Sequence, residues 1–352
     1  MITTTTRQHQ LRQHLPGRTA ARAANSIEHQ AALAGRLTPR DKWLLALLHE
    51  HRVLTSTQVQ DAAFPSSRST RQRLRELYLW RAVSRFQPFR QLGSAPMHYV
   101  LGPAGAAVLA AEHGLDVKDL GYRHDRAMAI AHNQRLAHTV GVGDFFTSLI
   151  ARTRQLGTRR GDGLTAWWAE ARCARHFGDL VIPDAYGRWR GCAGELEFFL
   201  EYDTGSESLT KVARKLLAYA RLADSTGIAT PVLLWFPTSR REVNARAALA
   251  RVHADLERPA DVPVATAAAD LLDRTAVRPS PADAVWLPLA TRSPNQTSPR
   301  CGLDELADAW PHLPAPAAVD ATDLVGAEGA AYRLPAPSPL PPRPTPTRHP
   351  GP

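Results

Sequence analysis

Lysine is nearly missing from this chain. Of 43 basic residues only Lys42, Lys118, Lys211 and Lys215 are lysines, and all the others are arginines. An ammonium is a compact point charge that does not substitute for a guanidinium fork, so each lysine in an arginine-writing chain marks a place with a chemical reason for it. Half of them, Lys211 and Lys215, sit four residues apart just after the acidic run LEFFLEYDTG. Cysteine is scarce as well. Cys173, Cys192 and Cys301 are odd in number and widely spaced, which excludes a disulfide framework and fits a reducing compartment. Cys173 and His176 have C-x-x-H spacing, but no second pair follows to close a zinc site. Long apolar runs are lacking too. The stretch Val232 to Phe236 is far short of the roughly 20 residues a membrane-spanning helix requires. The basic N-terminus has no apolar h-region of a secretory signal. A cytoplasmic protein with no membrane partner is the expectation.

What is present points to a polyanion. The formal charge is +10 and the pI near 10.0, and the excess is concentrated: Arg68, Arg71, Arg73, Arg75, Arg81, Arg85 and Arg90 face the single acid Glu76 between residues 66 and 90. At 352 residues and 44% hydrophobic, the chain is long enough for two cores.

Four regions follow from the pattern. Residues 1–35 are polar and lack apolar periodicity, so a disordered or loosely helical basic arm is predicted. Residues 36–115 read as helix, helix, helix, strand, loop, strand. Thr38 with Pro39 and Asp41 starts the first helix, Thr55 with Gln58 offers a capping box for the second, and Pro65 ends it. Residues 66–80 make the third helix, and Val83 to Phe86 and His98 to Leu101 make two strands. This is the order of a winged helix-turn-helix domain. On the third helix Arg68, Gln72 and Arg75 share a face, Arg71 flanks it, and Leu74 and Leu77 point inward. Such a helix suits the major groove of double-stranded DNA, with Arg85 and Arg90 of the wing on phosphates. His49 and His51 form an H-x-H pair, but on a helix they diverge by about 200° and cannot chelate one metal.

Residues 125–290 are predicted to form an α/β sandwich around a mixed sheet. A helix carries Val142, Phe145, Phe146, Leu149 and Ile150 on one face. Strands are expected over 164–170, over 180–189 with an interruption at Pro183, and over 195–203. The lysine helix, the apolar strand PVLLWF and a helix over 240–253 come next, with edge strands over 262–266 and 284–289. From Pro311 onward lie twelve of the 28 prolines, and residues 311–352 are predicted to be a proline-rich disordered tail.

The acids give the second region its chemistry. Side chains alternate along a strand, so Glu201 and Asp203 lie about 7 Å apart on one face. Asp184 follows a proline, where the strand bends and directs its carboxylate towards a neighbouring strand end. Lys211 and Lys215 share a helix face within reach of the same place. Carboxylates Asp184, Glu201 and Asp203 holding Mg²⁺ or Mn²⁺, with a lysine beside them, are the parts of metal-dependent phosphodiester hydrolysis.

These residues resemble the PD-(D/E)xK nuclease superfamily, which implies a restriction-endonuclease-like fold. The position two after Glu201, where that superfamily usually carries Lys, is Asp203. The resemblance then makes Lys215, or Lys211, the replacement from the following helix, and Glu170 in TAWWAEAR the additional acid before the hairpin. Tyr219, one turn beyond Lys215, reads as a packing residue rather than a covalent nucleophile. The combination of YVLGPAGAAVLA, HNQRLAHTVGVGDFF, PDAYG and EYDTGSESLTKVARKLLAY resembles the replication-relaxation family of actinobacterial plasmids and integrated mobile elements. That resemblance implies a role in replication and DNA relaxation at a plasmid origin or element end, with a homodimer and host replication proteins as further partners. Two functions fit: a DNA-nicking enzyme, or a winged-helix replication or transcription regulator whose inactive nuclease-like domain serves as a scaffold or dimerisation module.

Overall fold

The computed structural model describes residues 22–91, 93–157, 161–192, 194–273, 275–289, 299–316 and 334–343. Its first element gives the last part of the expected arm as helix rather than disorder. Helix α1 (Ile27–Arg36) is capped by the Ser26 side chain, which accepts from the His29 backbone N–H, and it buries Leu33. Residues 1–21 of that arm lie outside the described residues.

The next six elements are α2 (Pro39–His51), β1 (Leu54–Thr55), α3 (Ser56–Ala63), α4 (Ser67–Leu79), β2 (Val83–Phe86) and β3 (His98–Leu101). Both predicted caps form: Thr38 and Asp41 make a reciprocal box at α2, and Thr55 and Gln58 make another at α3. The strands pair antiparallel in the order β1-β3-β2, so the short β1 is an addition to the expected hairpin. Arg73 leaves the outer face of α4. Its guanidinium donates to both oxygens of Asp41, at 2.9 and 2.5 Å, and ties α4 to the start of α2. Helices α5 (Pro103–Glu112) and α6 (His124–Ala129) complete this half.

The second half runs α7 (Leu136–Leu156), β4 (Gly163–Ala169), α8 (Glu170–Phe177), β5 (Ala185–Gly191), β6 (Gly194–Tyr202), α9 (Leu209–Thr226), β7 (Val232–Phe236), α10 (Ser239–Ala254), β8 (Val264–Ala268) and β9 (Leu287–Pro288). The fold is mixed α/β, with one six-stranded sheet in chain order. Strands β4, β5 and β6 form an antiparallel meander, β6, β7 and β8 are parallel, and β9 closes antiparallel. Three expectations are corrected here. Residues 180–184 are not strand, because Pro183 delays pairing until Ala185. Glu170 opens the short helix α8 instead of ending β4. Strand β8 is interior, covered on its outer side by β9. Alternation along β6 is as predicted, with Leu196, Phe198 and Leu200 in the core beneath α7 and Phe199 in the core beneath α9 and α10.

The two halves share one continuous core. Across the seam between them Glu50 at the end of α2 accepts two hydrogen bonds from Arg172 of α8, at 2.9 and 2.7 Å, and both residues are buried. His51 stacks on Trp167 with ring centroids 3.5 Å apart. Gln58 of α3 donates to the Val140 carbonyl and to Asp144 of α7. Gly143 is required there, since a Cβ would stand 2.9 Å from the Gln58 amide nitrogen. The tail is also corrected in part. Leu334 is buried, its carbonyl accepts from Arg172 at 3.3 Å, and the Ser338 carbonyl accepts from the Trp43 indole at 2.7 Å. Residues 334–343 therefore pack on the body.

Truncating one partner of a buried ion pair strands the other charge away from water. Glu50→Ala is expected to lower the unfolding free energy by about 3–5 kcal/mol in a denaturant titration, while Glu50→Met with Arg172→Met, which removes both charges, loses far less. A single-variant loss below about 1 kcal/mol, the scale of a surface pair, would show that the seam does not rest on this contact.

Candidate active site

Backbone geometry brings Asp184 and Glu201 to one place. Pro183 holds the chain out of the sheet, so Asp184 sits just before β5, and one of its oxygens accepts from the Tyr202 backbone N–H at 2.8 Å. The carboxylate thus reaches the neighbouring strand end, as the sequence predicts. Glu201 lies on β6, paired with Leu234 of β7, and faces α9. From α9, Lys215 donates to Glu201 Oε2 at 2.6 Å and Tyr219 donates to Oε1 at 2.5 Å. Both acids line a cavity of about 600 Å³ together with Arg135, His138, Asp203 and Lys215.

The remaining predicted residues are placed differently. Asp203 lines the same cavity, but Arg241 of α10 binds both of its oxygens and the Gly205 N–H adds a third contact. Lys211 points to Glu207 at 2.5 Å and is largely exposed, so Lys215 alone of the two reaches Glu201. Glu170 accepts from Arg135 at 2.7 Å, and the same guanidinium lies 3.6 Å from Asp184. Sequence reasoning missed His138. Its Nε2 is 3.0 Å from Asp184 Oδ2, and the signal was its spacing of three from Arg135 in HNQRLAH, which puts both side chains on one face at the start of α7. Gly141 next to them lets Tyr202 pass, since a Cβ there would be 2.5 Å from the phenol ring. Tyr219 is buried and packed as expected, with the added role of holding Glu201.

The electrostatics separate the two acids. Burial, then the charge of Asp184, pushes the Glu201 carboxyl up to about 7. Burial would also raise Asp184, but the hydrogen bond and charge of His138, with Lys215 behind them, hold it below its ordinary value. For Lys215, burial favours the neutral amine, and the charges of Glu201 and Asp184 outweigh it, so the ammonium is held above its usual range. His138 is likewise raised, with Asp184 overcoming its burial.

Among the described residues no group of three His, Cys, Asp or Glu side chains is arranged to hold a metal ion. A set that includes Asp203 does not fit, because Arg241 occupies that carboxylate. Asp184 and Glu201 line one cavity, and a small hard cation takes one or two carboxylates from a protein with water or phosphate in its other positions, though here Lys215 and Tyr219 hold the Glu201 oxygens and His138 lies on Asp184.

On α4, Arg68, Arg71, Gln72 and Arg75 are exposed while Leu74 and Leu77 are buried. Arg90 is exposed, and the Arg85 guanidinium lies over the Tyr78 ring at 4.2 Å. The predicted basic face is therefore presented to solvent.

Fold and site define a mixed α/β protein in which a half-buried lysine contacts a buried acid at the junction of β5, β6 and α9. The model of the replication-relaxation family matches residues 45–238, more than half of the chain, and the chain belongs to that family. No curated protein and no solved structure matches it. Membership supports a role in plasmid replication or relaxation.

Between its unfolded value near 4.5 and its folded value near 7, Glu201 holds a proton that the unfolded chain has released. Its contribution to stability is complete at low pH and is lost as pH rises through that window. In Glu201→Gln the curve of unfolding free energy against pH should lack this decline, and an unchanged slope would show Glu201 ionised throughout.

Proposed function

We propose that the protein binds duplex DNA of a plasmid or integrated mobile element through a winged helix formed by α2 to β3, and nicks it at the Asp184–Glu201–Lys215 cavity. The observation that carries the second half of this reading is the 2.6 Å contact from Lys215 to Glu201. A lysine missing from the strand position returns to the acid from the following helix. The strand order, with Asp184 before β5, Glu201 on β6 and a parallel β7 beyond α9, supports a PD-(D/E)xK-like reading.

Asp184 and Glu201 would hold Mg²⁺ or Mn²⁺. When bound, the cation supplies Lewis-acid polarisation of a phosphoryl oxygen and an activated water. The chain's own groups do the rest. Lys215, which lies on Glu201 at the cavity wall, would set its charge against the developing phosphorane oxygens. His138 and Arg135 keep Asp184 ionised and oriented. Arg241 and Asp203 fix the turn after β6 and leave Asp203 outside the chemistry. The regulator reading, with this half as a scaffold, is favoured by one observation: each acid already has a cationic partner within the chain.

Nicking of supercoiled plasmid that carries the native origin separates the two. With Mg²⁺ or Mn²⁺, wild type should give relaxed product, and Lys215→Ala should lose it by about 100-fold or more, as when one donor to a developing charge is removed. Lys211→Ala should retain it. No relaxed product from wild type, together with no divalent-ion heat in calorimetry, would leave the scaffold.

Binding is tested apart from cleavage. Arg71→Ala with Arg75→Ala should weaken duplex binding and lower the salt slope by about one per lost phosphate contact. Gln72→Ala should change sequence preference more than affinity. A salt titration unchanged in the double variant would remove α4 from the interface.

A further inference from the structure

Three cavities with lining residues in common follow one another along the seam between the halves of the molecule. The acid cavity shares Arg135, His138 and Asp184 with a second one of about 280 Å³ that is bounded by α2, α7, β4 and α8. This second cavity shares Arg52 and Ala171 with a third, of about 380 Å³, between the end of α2, β3 and α6. Charge changes along the series. The far cavity is lined by Arg52, Arg123 and Arg126 with no carboxylate among its lining residues, the middle one carries Glu50 and Glu170, each paired with an arginine, beside Asp184, and the near one adds Glu201, Asp203 and Glu207.

The arginines at the far end are available. Arg123 is paired with Asp125 at 2.8 Å, but Arg52 and Arg126 are exposed and neither lies within ion-pair distance of a carboxylate among the described residues. Arg52 also sits at φ +69°, in the region that favours glycine. An unfavourable backbone held at the junction of two cavities, with a free guanidinium, is a reason to look for a ligand there. Tyr122 lines the same cavity, held by its hydroxyl on the Leu101 carbonyl.

We propose that this groove holds one strand of DNA, with its phosphates on Arg52 and Arg126, passing Arg135 and leading a phosphodiester to Glu201 and Lys215. The middle cavity, at about 280 Å³, has no room for a duplex. Recognition then has two parts: α4 takes duplex, and the seam takes a strand separated from it. The proposal rests on the reading of the acid cavity as a cleavage site.

The probes are a fluorescent oligothymidine and a duplex oligonucleotide, read by anisotropy across a salt series. Arg52→Gly with Arg126→Ala should weaken single-strand binding about tenfold and lower its salt slope by roughly 0.7 per lost contact, with duplex binding unchanged. Arg52→Gly relieves the positive φ, so its melting temperature should not fall, and Arg52→Lys should keep most of the binding. Single-strand affinity that is absent in wild type, unchanged in the double variant, or lost in parallel with duplex affinity overturns the groove. Wild type that nicks plasmid while its single-strand binding ignores Arg52 overturns the groove and keeps the cleavage site. Wild type that binds a strand through Arg52 but never nicks keeps the groove and removes the cleavage.

Discussion

The bidentate contact between Glu50 and Arg172 fixes the relation between the two halves of this protein. It is buried, it is directional, and it spans 122 positions of sequence. A guanidinium fork matches a carboxylate in one plane only, so α2 cannot slide along α8 without breaking both hydrogen bonds in a medium that offers no water in exchange. The stack of His51 on Trp167 and the hydrogen bonds from Gln58 to α7 hold the same seam at two further points. The cavities between the halves are consequently bounded by walls at fixed spacing.

The acid site illustrates how two carboxylates in one cavity acquire different characters. Asp184, at a strand start with a backbone N–H and a histidine on it, stays ionised. Glu201, enclosed by two sheet neighbours and α9, is pushed towards neutrality even with a lysine in contact. Environment separates their roles. Because Lys215 comes from a helix, its reach to Glu201 depends on how α9 seats on the sheet. Val212, Leu216 and Tyr219 on the buried face of α9 supply that seating.

Much of this was legible because it is local. The boxes at Thr38 and Thr55, the strands β2, β3, β6 and β7, the inward leucines of α4 and the nearness of Lys215 to Glu201 all follow from periods and spacings of a few residues. What was not legible depends on partners distant in the chain. Asp203 looked like a ligand until Arg241, 38 positions on, took its carboxylate. Lys211 shares a face with Lys215 but finds Glu207 first. Arg73 is indistinguishable in sequence from the arginines around it, yet it closes on Asp41. The proline-rich segment has no apolar period, and only the burial of Leu334 and its contact with Arg172 reveal that it packs.

Leu334 also orders events in time. Chains emerge from the ribosome N-terminus first, and early segments can fold while later ones are still being made. Helices α2 to α4 have all their caps and most of their buried leucines within the first quarter of the sequence. The core they share with the sheet is complete only when Leu334 arrives to cover Arg172 and the Ser338 carbonyl meets Trp43. During synthesis, the basic face of α4 is therefore formed well before the seam is closed, and assembly runs from α2–α4 toward the segment that carries Leu334 and Ser338.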